Sequence, residues 1–121
     1  MVVIGPISTA PAAHVPSLDE RVAAARADLA EDELLAEHHA PLDGEARLHL
    51  VFEHGRCYRV WVGADRAIDA HLEDEHGHSV ARGPDWLTEV CPRWTGSFEL
   101  VVTPREDARS LAVLISAHPA P

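Results

Sequence analysis

The stretch from His71 to His78 reads HLEDEHGH and packs three histidines and three carboxylates into eight positions. Side chains of these types ligate metals, so their spacing decides what they can do. Zinc takes three or four ligands converging at ~2.0–2.3 Å. His76 and His78, two residues apart, share one face of a strand. With His71, Glu73 and Asp74 they make up a candidate ligand set. The helical H-E-x-x-H spacing is absent. His71–Glu73 echoes the start of the zinc-deaminase signature, but its P-C-x-x-C half is missing. Calcium would draw on the oxygens of Asp69, Glu73, Asp74 and Glu75, yet the EF-hand order of acids is absent. Gly77–Ala81, GHSVA, approaches the G-x-S-x-G elbow, which needs a strand, a sharp turn and a helix inside an α/β sheet. Here the flanking pattern is strand, turn, strand, which removes Ser79 as a nucleophile. A hairpin accounts for most of the stretch. Asp74-Glu75-His76-Gly77 is a D-x-x-G turn, with Leu72 facing inward and His71 and Glu73 facing solvent. The expectation is therefore no cofactor and no enzymatic activity, with calcium or zinc on this hairpin as the alternative. Histidines among carboxylates would also change the local charge between about pH 5 and 8.

A second set of residues suits binding. Arg59 and Trp61 alternate out of phase with the core positions of their strand, and Trp86 and Trp94 bracket Cys91. Exposed Trp and Arg dominate binding hot spots, and indoles stack on sugar rings. The other use of Trp61 is to be covered by an N-terminal helix, whose apolar stripe needs a partner. Cys57 and Cys91 are the only cysteines. In a small domain such a pair suits one disulfide, closing a loop of about 35 residues and adding roughly 3–4 kcal/mol in the chain-entropy account. Two separate thiols are the alternative.

The elements that carry these residues follow from composition and period. A chain of 121 residues suits one domain and can bury a core without a metal. Its net charge is −10, from 20 acids against 10 bases, which argues against nucleic acid or anionic membrane as partner. No apolar run approaches the roughly 20 residues of a membrane span. MVVIGPISTAPAA has neither the basic n-region nor the apolar length of a signal peptide; export with a leader already removed stays open. Residues 1–16, with Pro6, Pro11 and Pro16, read as an extended arm that lies on its own domain or reaches a neighbouring subunit. Residues 17–43 read as a helical segment. Ser17-Leu18-Asp19-Glu20 is a capping box, and Leu18, Val22, Ala25 and Leu29 recur at helical spacing. The helix is expected to reach about His39 before Pro41 stops it, or to divide at Glu31–Glu33 with Asp32 capping a second short helix. His38 and His39 would then sit in its last turn. From residue 44 to 121 the period is two. Six short strands are expected, around Leu48, Val60, Ala70, Val80, Leu100 and Val113, separated by turns at Glu53–Gly55, GADR and Pro104–Asp107. That spacing implies a mostly β domain, an antiparallel sandwich or barrel, behind the arm and helix.

The β region also resembles a known pattern. Gly55…Tyr58–Val60, then Asp69–Leu72–Asp74–Gly77, then Gly96–Phe98–Leu100–Val102 are similar to the strand and turn signals of the bacterial pre-peptidase C-terminal (PPC-like) β-sandwich. The likeness covers about residues 44–118 and leaves out the arm and the helix. Where that family usually has Asp-Leu-Asp, this chain has Ile68–Asp69–Ala70, so one aspartate is missing. The resemblance implies a non-catalytic, jelly-roll-like β-sandwich module, usually exported and attached to enzymes or surface proteins, with calcium bound in some relatives. Taken with the Pro-rich arm, which suits an assembly subunit, the expectation is an extracytoplasmic accessory or assembly protein that binds a protein partner, copies of itself or an envelope component, with a glycan as a further candidate for the Trp residues.

Overall fold

The structure, a computed structural model, describes residues 15–74 and 78–121, with residues 78–84 described at the level of the backbone. The expected arm, apart from Val15 and Pro16, lies outside them. Ser17 opens helix α1 (Leu18–Asp28), and the capping box is formed. The Glu20 N–H donates to Ser17 Oγ, and the Ser17 N–H donates to Glu20 Oε1, both at 3.2 Å. Val22, Ala25 and Leu29 are buried along one stripe, with Leu18 packed beside them.

The helix does not run on to His39. It ends at Asp28, and Glu33–Pro41 forms strand β1. Leu29 is buried at the helix end, and Asp32 is drawn inward by side chains of the sheet. Residues 33–41 then gain a continuous antiparallel ladder with the last strand of the chain. Long-range hydrogen bonding overrides the helix-favouring composition of ELLAE.

Five further strands follow: β2 (Ala46–Phe52), β3 (Arg56–Glu73), β4 (His78–Val90), β5 (Gly96–Pro104) and β6 (Ser110–Pro119). The protein is mostly β and its sheet is antiparallel, as the period of two requires. Two boundaries differ from expectation. GADR does not separate two strands but forms an irregularity within the single long strand β3, between Gly63 and Ile68. The short strand at Val80 is instead the 13-residue β4. Pro84, which reads as a breaker, lies opposite the irregular part of β3, where the ladder asks for no N–H from it.

Strand order is β1-β6-β3-β5-β2, with β4 along the other side of β3. β3 is thus the spine of a sheet curled into a half-barrel. Its first half pairs with β6 and its second half with β5, while β4 follows both. The bend is fixed by loop contacts. The Asp65 carboxylate accepts from the backbone N–H groups of Arg109 (2.8 Å) and Ser110 (3.0 Å), and the Arg105 N–H donates to the Ala67 carbonyl at 2.9 Å.

The concave side holds the main core. Tyr58, Val60, Val62, Ile68, Ala70 and Leu72 of β3 meet Leu100 and Val102 of β5 and Leu111, Val113 and Ile115 of β6. The convex side of the β3–β6 pair is covered by α1, where Trp61, Ala112 and Leu114 meet Val22, Ala25 and Leu29. β6 is therefore apolar on both faces, and Leu111–Ala117 is buried without interruption.

Candidate functional site

The four binding candidates occupy different environments. Trp61 is only 7% exposed and lies under α1. Its ring runs along the strand over Gly63, where a Cβ would stand 2.3 Å from the indole. Trp86 is half-buried against the main core. Arg59 holds the end of the helix to the sheet. Its Nε donates to Asp32 Oδ2 at 2.9 Å and its guanidinium also donates to the Asp28 carbonyl at 3.1 Å. Ser116 Oγ donates to the same Asp32 oxygen at 2.7 Å. Burial raises the Asp32 pKa, but these bonds outweigh it and hold the carboxyl below its ordinary value. The other end of α1 is held by Arg21, which pairs with Asp85 and donates to the Ala64 carbonyl at 2.5 Å. Arg59 and Trp61 therefore join helix to sheet.

Trp94 stands apart at 52% exposure. It lines a cleft of about 350 Å³ with Val90, Pro92, Arg93, Ser97 and Phe98, and with Asp74 opposite. The cleft forms where the segment joining β4 to β5 meets the end of β3. That segment is fixed at both ends. Cys91 is disulfide-bonded to Cys57, and Thr95 Oγ1 accepts the His54 N–H at 3.1 Å. The floor is aromatic. Phe98 lies 4.9 Å from Phe52, which stacks on Tyr58 at 4.3 Å. The Tyr58 hydroxyl accepts the Glu53 N–H at 2.8 Å and so fixes the neighbouring turn, whose Gly55 has φ of 95°. Arg93 makes no ion pair with any described residue, whereas Arg21, Arg26, Arg47, Arg56, Arg59, Arg105 and Arg109 each face a carboxylate.

The histidine–acid hairpin exists as a hairpin. β3 and β4 close on the pair Glu73 and His78, while Glu75, His76 and Gly77, and the side chain of His78, lie outside the described residues. Leu72 is buried, and His71 Nε2 sits 2.8 Å from Glu73 Oε1 on the other face. Among the described residues no three His, Cys, Asp or Glu side chains converge on one point. Asp74 contributes to the Trp94 cleft.

Sequence spacing misses two groupings. Asp32 looks like a cap, and its link to Ser116 spans 84 residues. His118 bridges β6 to β4, with Nε2 3.0 Å from Glu89 Oε2 and Nδ1 3.1 Å from the Pro119 carbonyl. An acceptor at each ring nitrogen favours the doubly protonated ring, and the His118 pKa is raised, first by Glu89 and then by the Pro119 carbonyl. Ser116, His118 and Asp32 resemble a catalytic triad in type only, because the serine hydroxyl donates to the aspartate.

No family model matches the chain, and no curated protein matches it. Among the described residues no helix is long and apolar enough to cross a membrane.

Proposed function

We propose that the protein is a non-enzymatic binding module of PPC-like β-sandwich type, an extracytoplasmic accessory or assembly protein whose contact site is the Trp94 cleft. The observation that carries this reading is the exposed indole of Trp94, next in sequence to Arg93, which makes no ion pair with any described residue, on a segment fixed at both ends. A pre-ordered aromatic and arginine pair loses little freedom on binding. The curl of the sheet supports the sandwich reading, since residues of β2, β3, β5 and β6 contribute to one core. The Cys57–Cys91 disulfide supports an oxidising compartment.

The test is to probe glycan and peptide arrays with the purified chain and with Trp94→Ala, alongside native mass spectrometry for self-assembly. Specific binding by the parent chain, lost in the variant, is the expected result. Identical array patterns for both chains, or catalytic turnover by the purified protein, would overturn the reading.

A further inference from the structure

We infer that the Trp94 cleft takes a neutral pyranose ring of a glycan, an assignment that rests on the cleft being the contact site. Its size is the first reason. About 350 Å³ lies at the small end of ligand clefts, which run from ~300 to ~1,000 Å³. That is room for a sugar ring or two.

The lining chemistry is the second reason. A pyranose has a face of C–H bonds and an edge of hydroxyls. Trp94 presents an indole and Phe98 a half-buried ring, which suit the C–H face. Around them stand Arg93, a donor only, and Ser97, which donates and accepts. Vicinal hydroxyls need donors and acceptors together, and this set supplies them.

Charge is the third reason. Arg93 and Asp74 bring opposite charges to the cleft lining. The chain carries a net charge of −10, which disfavours a polyanionic glycan at a distance. Neutral hexose or N-acetylhexosamine chains remain as the matching class. Fixation of the loop by Cys91 and Thr95 fits such a ligand, because weak sugar contacts tolerate little ordering cost.

The experiment titrates the full chain with cellotriose, maltotriose and chitotriose, followed by calorimetry and by tryptophan fluorescence. One of the three is expected to bind saturably, with a dissociation constant at about the millimolar level or tighter. Trp94→Ala should abolish the binding, Trp94→Phe should retain part of it, and Arg93→Gln should weaken it about fivefold or more. Because Trp94 is half exposed, thermal melting of each variant serves as the folding control. No saturable binding up to about 20 mM of any of the three, or binding that Trp94→Ala leaves intact, overturns the inference. Array binding to peptides that depends on Trp94, without sugar binding, overturns the pyranose assignment while leaving the contact site in place. Loss of both ends both.

Discussion

Asp32 is the residue on which the helix–sheet junction depends. Its carboxylate is only 7% exposed and takes a proton donor from each of two strands. Asp32→Asn should cost about 2–4 kcal/mol, since it weakens a buried charged bond and leaves Arg59 facing a neutral group. The cost depends on pH. The Asp32 pKa is depressed in the folded state, so its stabilisation is present above the ordinary value of 3.8 and is lost as pH falls through the lower folded value. Chemical unfolding of the two proteins should therefore differ at neutral pH and converge under acid. His118 behaves in the opposite sense. Its folded pKa is raised, so its contribution is complete below 6.5 and fades as pH rises through the raised value. The melting-temperature gap between the parent chain and His118→Gln should shrink above that pH; a constant gap would show that the ring does not titrate with folding. Neither residue was readable from local pattern. Asp32 sits in an acidic run that suits a helix boundary, and its partners lie on strands far along the chain.

At the scale of elements, the packing of α1 on β3 and β6 turns on a glycine. Trp61 lies flat over Gly63, and no Cβ fits between them. Gly63→Ala should force the indole off the strand and cost about 1–3 kcal/mol as an overpacking change. Near-ultraviolet circular dichroism should lose part of its tryptophan signal, and an unchanged spectrum would contradict the packing described. The helix itself was legible in full at its start, because capping-box chemistry is local. Its end was not, because β1 exists only through β6. The same contrast holds in the sheet. Alternation located Leu48–Phe52, Tyr58–Val62, Ile68–Leu72 and Phe98–Val102. It could not join the second and third of these into one strand, since GADR carries the residues of a turn and serves as a bend whose aspartate is consumed by the β5–β6 loop. Of the candidate site, Trp94 was legible as an exposed aromatic. Its neighbour Asp74 was assigned to a metal set, since only the curl of the sheet brings the end of β3 to the Cys91 segment.

At the scale of the molecule, the disulfide and the spine act together. The Cys57–Cys91 link closes 34 residues, a loop worth about 3–4 kcal/mol in the entropic account, and it ties the start of β3 to the end of β4. β3 meets β4, β5 and β6, so none of these three strands can leave the sheet without breaking its pairing along β3. Hydrogen exchange should accordingly show one cooperative opening for the β3, β5 and β6 amides. β6 has a further consequence. It follows the other described strands in sequence yet lies between β1 and β3, so β1 finds its neighbour only after β2 to β5 have been made. A chain ended at Pro104 should lack a cooperative melt, whatever its helix content. Until β6 has been made, β1 has no strand beside it and the curled sheet stays unclosed.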